Sequence, residues 1–307
     1  MKKWKKFILA LGLSISLLGI TLVAIAVLSG VSEQSETGMQ DSKNVTIKLD
    51  NFNAINFATN ASNFITFDGN FRNNDYQVIL KTSKDDKASM TYHTDNKHTI
   101  DYEVKDNTLN IKNKGGTHVN FLSIKDLVEF VNLGKSNKQN RNTITIYIPK
   151  RIHLTSLTGT FFGNLSLKNL VVDSINLNIS AGNFNTYKTT ISNGSLKINA
   201  GNTHTENSEL NNLDFNMSMG NTHLENSITT NTSFQLNMGN FSANEVTFLK
   251  DNKVTADMGN IDITLNSYDL SVNSSTSMGN KNITNILQPS VDNKLNLIDN
   301  MGNITLK

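Results

Sequence analysis

The sequence contains no cysteine. Disulfides, thiolate metal sites and cysteine nucleophiles are therefore excluded, and an exported domain built from this chain must be held by its core and its backbone hydrogen bonds. Proline occurs twice in 307 residues. So little proline suits a chain made mostly of regular strand ladders, in which proline cannot donate. Charge is sparse as well: Asp, Glu, Lys and Arg make up 18% of the chain, and hydrophobic residues 37%, both below the usual globular share. Phosphate loops, dinucleotide fingerprints, His-Glu-x-x-His and the Gly-Gly-x-Gly-x-Asp calcium repeat are absent from the sequence.

Uncharged polar residues fill the gap. There are 48 Asn, about 16% of the chain, with Ser and Thr also abundant. Such a composition belongs either to a disordered low-complexity chain or to a fold tiled with Asn, Ser and Thr, and periodicity decides for the fold. Net charge is +2, from 28 basic and 26 acidic residues. Four of the lysines, Lys2, Lys3, Lys5 and Lys6, precede the first apolar run, so the remainder carries 24 basic against 26 acidic residues, or −2. A near-neutral remainder without a basic patch is a poor partner for nucleic acid.

Phe7 to Leu28 is a run of 22 residues without charge. As a helix it spans roughly 30 Å, the thickness of the hydrocarbon layer. The lysines before it belong on the cytoplasmic side, which puts the C-terminal bulk outside the cell membrane. The run is longer than the apolar part of most signal peptides, although Ala24-Ile25-Ala26 offers a small-x-small cleavage site. The reading is residues 1–28 as basic stub and transmembrane anchor, and 29–43 as a polar tether.

Gly-Asn then recurs at Gly163, Gly182, Gly201, Gly220, Gly239, Gly259, Gly279 and Gly302, at intervals of 19, 19, 19, 19, 20, 20 and 23. The flanks alternate with period two, the signature of strands: Leu196 and Ile198 before Gly201, Phe215 and Met217 before Gly220, Ile261, Ile263 and Leu265 after Gly259. A unit of this size cannot bury its own apolar face, but stacked units bury a continuous core. The fold class is all-β, a single-stranded parallel β-solenoid of 19–20-residue coils behind one N-terminal transmembrane helix. Gly at each corner permits positive φ or close approach, and the following Asn can stack into amide ladders. Met219, Met238, Met258, Met278 and Met301, each preceding a corner Gly, are expected to fill the interior. Ile304 and Leu306 are expected to close the open end of the stack.

Residues 44–143 read as an irregular β-rich part and 144–307 as the regular solenoid, entered through Ile144, Ile146 and Ile148. In the irregular part Val45–Leu49, Ala54–Phe57, Phe64–Phe67, Tyr76–Leu80, Ala88–Tyr92, Thr99–Val104 and Thr108–Ile111 read as strands. Asp68-Gly69-Asn70 resembles the corner motif, and residues 121–133 have the apolar spacing of a short helix. Lys135–Asn142 reads as a polar loop.

One local pattern stands out. His204 and His223 each lie three positions after a corner Gly, with Glu206 and Glu225 two residues further on. Equal register stacks His on His and Glu on Glu about one strand spacing apart, facing solvent. Residues 201–249 contain five acidic residues and no Lys or Arg. The strip is either a cation-binding surface, for a cationic peptide or a divalent metal, or a solvated face copied by repeat duplication. Tyr147, Tyr187 and Tyr268 are candidate sugar-stacking rings or simple packing.

The strand Thr143–Pro149, followed by coils with small-residue–Gly–Asn corners behind one N-terminal span, resembles the bacterial putative-adhesin family of membrane-anchored β-solenoids, which includes LiaG-like envelope-stress proteins. The resemblance covers residues 44–307. It implies a surface-exposed protein of a Gram-positive-like envelope with a link to cell-wall or antimicrobial-peptide stress, and brings no catalytic motif or cofactor. Family corners are Gly-Asp or Gly-Asn, and here Asn is used throughout. The reading is a non-enzymatic envelope binding module at the cell membrane, whose partners are a cell-wall glycan, a cationic peptide or a membrane protein. The alternatives are a carbohydrate-active β-helix enzyme, which needs clustered carboxylates in a cleft, and a scaffold for a membrane stress-response complex. Arg72, Arg141 and Arg151 are the only arginines, all outside the later coils, which weighs against the enzyme.

Overall fold

The computed structural model describes residues 43–59, 77–94, 100–113, 143–284 and 287–307. The apolar run Phe7–Leu28, the strand Phe64–Phe67, the Asp68-Gly69-Asn70 corner, the helical spacing at 121–133 and the loop Lys135–Asn142 lie outside the described residues. Among the described residues every helix or strand element is a strand.

Seven strands precede the regular stack: β1 (Lys43–Lys48), β2 (Ala54–Thr59), β3 (Gln77–Thr82), β4 (Ser89–Thr94), β5 (Ile100–Lys105), β6 (Thr108–Asn113) and β7 (Thr143–Ile148). The stack itself is built from coils. The first is β8 (Ser156–Phe161), β9 (Asn164–Lys168) and β10 (Val171–Val172), and the second β11 (Ile175–Ile179), β12 (Phe184–Tyr187) and β13 (Thr190–Ile191). The third is β14 (Gly194–Ala200), β15 (Thr203–Glu206) and β16 (Glu209–Asn211), and the fourth β17 (Leu213–Met219), β18 (Thr222–Glu225) and β19 (Ile228–Thr230). In the fifth, after β20 (Ser233–Met238), one long strand β21 (Phe241–Leu249) replaces two. Three two-stranded coils end the chain: β22 (Asp251–Met258) with β23 (Ile261–Leu265), β24 (Ser271–Met278) with β25 (Lys281–Ile283), and β26 (Lys294–Met301) with β27 (Ile304–Leu306).

Each coil contributes one strand to an 11-stranded sheet before its Gly-Asn corner and one to a 16-stranded sheet after it. The first four coils add a third, shorter strand. Its ladder joins the 16-stranded sheet through β21, which pairs with both β18 and β19. Neighbouring coils pair in parallel and in register: Phe215 lies beside Leu196 and Phe234, and Thr222 beside Thr203 and Phe241. The inward residues form one core that includes Leu165, Phe184, Leu224, Phe234, Phe241 and Ile261.

The corners follow from local chemistry. A Cβ on Gly220 would lie 1.6 Å from the Gly201 carbonyl oxygen, and φ there is 134°, so only glycine lets successive coils approach this closely. Beside the glycines runs the Asn ladder. The backbone N–H groups of Asn183, Asn202, Asn221, Asn240, Asn260, Asn303 and Asn280 each donate to the side-chain oxygen of the preceding Asn in the stack, at 2.8–3.0 Å. At the second corner buried Ser208 receives the Thr189 N–H at 3.1 Å, and Ser227 receives the Ser208 N–H at 3.1 Å. Asn207 and Asn226 there have φ near 49° and 46°, a left-handed conformation that Asn tolerates better than most residues.

Three expectations need correction. The five corner methionines are exposed, not interior. Inward alternation ends one position earlier, at buried Met217, Leu236 and Ala256, because the bend into the corner Gly turns the next alternate side chain out. Ile304 and Leu306 do not close the stack. β26 lies between β22 and β24, and β27 between β23 and β25, so the last coil of the chain is the last but one in space. The largely polar coil β24–β25 is the terminal one. At the other end β7 pairs with β3 and β4. The regular register therefore begins at β8 and β9, which stack on β2 and β3, while β6 and β7 lie on the far side of that pair.

Candidate ligand-binding face

The outward positions of the 16-stranded sheet form columns fixed by register. The column three residues after each corner Gly runs Ser166, Asn185, His204, His223, Ser242, Asp262, Thr305 and Asn282. Two residues further on the column runs Tyr147, Lys81, Lys168, Tyr187, Glu206, Glu225, Asn244 and Thr264. The inward residues between them, Thr203, Thr205, Thr222 and Leu224, are buried, so the His and Glu side chains project together on the opposite side.

The imidazole rings of His204 and His223 are stacked, with centroids 5.2 Å apart and planes 9° from parallel. His204 Nε2 lies 3.9 Å from Glu206 Oε2 and His223 Nε2 3.9 Å from Glu225 Oε2. His223 Nδ1 lies 3.3 Å from the Ser242 hydroxyl. Each Glu thus faces its own His, and like residues stack along the coils. Parallel rings aim their nitrogen lone pairs in parallel planes, so one ion shared by both would require a ring to rotate. Among the described residues no group of three or more His, Asp or Glu is arranged to hold a metal.

The same column has the opposite sign toward the N-terminal strands. Lys81 and Lys168 are direct register partners, a like-charge pair that repels unless an anion lies between its members. The Lys81 ammonium sits 4.7 Å from the Tyr147 ring centre, and Lys188 lies 5.2 Å from that of Tyr187. Lys81 and Lys168 border an open groove of about 1160 Å³, which Lys84, Lys150, His153 and Asp85 also line. The Ser83 hydroxyl donates to Asp85 at 2.5 Å and holds its carboxyl below the usual range. Asp86 is paired with Arg151. Cationic side chains thus outnumber carboxylates in the groove, a basic patch that corrects the expectation of none and that near-neutral net charge hides, whereas Glu206 and Glu225 stand on open sheet.

Spacing was enough to find the His and Glu pairs, and it would also have found Asp262, three residues after Gly259. Lys81 could not be found this way, because β3 meets β9 out of chain order. Tyr147 and Tyr187 belong to the charged column, while Tyr268 packs partly buried against the core.

The model of the Toastrack DUF4097 family matches residues 70–305. No curated protein matches the sequence. Among solved structures, one described as a putative adhesin from Parabacteroides merdae shares 13% identity at a TM-score of 0.48, covering 85% of this chain and 95% of that one. One described as a putative lipid binding protein from Parabacteroides distasonis shares 15% at 0.48, covering 86% and 96%. One described as a putative cell adhesion protein from Clostridium sporogenes shares 12% at 0.27, covering 87% and 99%.

Proposed function

The chain belongs to the Toastrack DUF4097 family, and from the surface this chain exposes we propose that it is a non-enzymatic binding module held at the outer face of the cell membrane. Phe7–Leu28 anchors it, and the solenoid presents its His/Glu columns to a cationic ligand, a cationic antimicrobial peptide above all. The observation that carries this reading is the stacked set His204, Glu206, His223 and Glu225, within a span free of Lys and Arg. Like charges fixed side by side on an exposed sheet repel one another, and a multivalent cation relieves that repulsion. A role in envelope stress of the LiaG type follows if the ligand is a peptide that damages the envelope.

A second reading rests on the lysine groove. Lys81, Lys84, Lys150 and Lys168 around one open depression suit a phosphodiester polymer of the cell wall. The full-length chain in detergent micelles, incubated with cationic peptide, teichoic acid and peptidoglycan, separates the two. Retention by cationic peptide alone supports the first reading, and retention by teichoic acid alone the second. Retention by none of the three sinks both.

A further inference from the structure

Five methionines form one line along the edge of the 11-stranded sheet. Met219, Met238, Met258, Met301 and Met278 are register partners in that spatial order, and their exposure runs from 42% to 62%. With Val291 they account for the exposed large hydrophobic side chains among the described residues. The order is not that of the chain. Met301 belongs to the coil that inserts between β22 and β24, yet it falls into the line between Met258 and Met278, so the row stays unbroken across the crossover.

An exposed apolar row gains nothing from water, and any large aliphatic side chain would serve as apolar surface. The earlier coils place Phe162, Ala181 and Ala200 at the same position. What the row alone supplies is thioether sulfur, an uncharged soft ligand that favours Cu(I)-type ions over calcium or magnesium. Neighbouring strands lie about 4.8 Å apart. Two sulfurs that share one ion lie roughly 4–5 Å apart, twice a metal–sulfur bond of about 2.3 Å. Adjacent methionines can therefore close on an ion by side-chain rotation, which the flexible Met side chain permits, without moving the backbone. Asp257 precedes Met258 in the chain, and its Oδ1 accepts from Asn300 Nδ2 at 2.8 Å.

We propose that this methionine ladder is a binding site for soft monovalent cations, Cu(I) or Ag(I), spatially separate from the His/Glu face. The test is titration of the full-length chain with Ag(I) in chloride-free buffer, and with Cu(I) under anaerobic competition against a chromogenic chelator, while methionine methyl signals are followed by NMR. The ladder predicts binding with shifts of the five exposed methyls, and none at buried Met90 and Met217. Replacing Met238, Met258 and Met301 together by Leu keeps the apolar surface and removes the sulfur. Affinity should then fall at least about tenfold with the melting temperature unchanged. His204→Gln with His223→Gln should leave binding intact. Absence of binding by the wild-type chain, unaltered binding by the Leu variant, or loss of binding in the His variant would each overturn the proposal. The wild-type methyl shifts decide the matter even if the triple variant fails to fold.

Discussion

At the scale of single residues, the least ordinary group is Asp299. Its side chain is fully buried in an inward column between Ala256 and Thr276, and neither carboxylate oxygen makes a well-formed hydrogen bond. Burial raises its pKa above the ordinary 3.8, with a weaker opposing influence from the Met301 backbone N–H. Between the unfolded value and the raised folded one, the folded state binds more protons. Stability therefore falls as pH rises through that window. Asp299→Ala should stabilise the fold at pH 7 by roughly 1–2 kcal/mol, and the gain should vanish as pH drops toward 4. Thermal melts of the two chains from pH 4 to 7 check this: wild type should lose stability across the range relative to the variant, and parallel curves would contradict the assignment. The corner methionines carry a lesson at the same scale. Strict alternation placed them inside, but alternation is a property of an extended strand and ends where the chain bends.

Among the elements, the Gly-Asn corner was legible because its cause is local. Glycine is required wherever one coil's carbonyl lies under the next coil's Cα, and the Asn after it closes the ladder. Asn221 shows the load each rung carries. Its side-chain oxygen accepts the Asn240 backbone N–H at 2.9 Å and Asn240 Nδ2 at 3.2 Å, while its own Nδ2 donates to Asn202 at 3.4 Å. Asn221→Ala should cost about 1–2 kcal/mol by denaturant unfolding, whereas Asn216→Ala on the exposed side of β17 should change stability by less than about 0.5 kcal/mol. Equal costs would mean that the ladder adds nothing beyond solvation. The His and Glu pairs were legible for the same reason: an exact 19-residue interval in a parallel register places like on like. Lys81 and Lys168 were not, since nothing in the spacing of β3 announces that it joins β9.

For the stacked domain as a whole, the sequence gives the coils but not their order in space. At each end the pairing order departs from chain order. β2 and β3 lie inside β6 and β7, and β26 and β27 lie inside β24 and β25. The outer coil at the C-terminal end is polar enough to face water, and the inner one carries buried Leu295 and Leu297. Periodicity registers both as repeats, and only pairing between distant segments decides which goes inside. Deleting residues 287–307 would remove the inner coil and leave β24 and β25 without their partners. The deletion should lower the melting temperature by at least about 10 °C or leave the chain insoluble, as followed by circular dichroism. An unchanged transition would mean that the last coil is dispensable.

The claim on which the functional reading depends is that the stacked carboxylates hold a cationic ligand. The most direct measurement is the binding of a fluorescent cationic peptide to the full-length chain and to its Glu206→Gln, Glu225→Gln variant across a salt series. The variant should bind at least about fivefold more weakly at low salt, and the difference should close as ionic strength rises and screens the face. Equal affinity of the two chains at every salt concentration would contradict it.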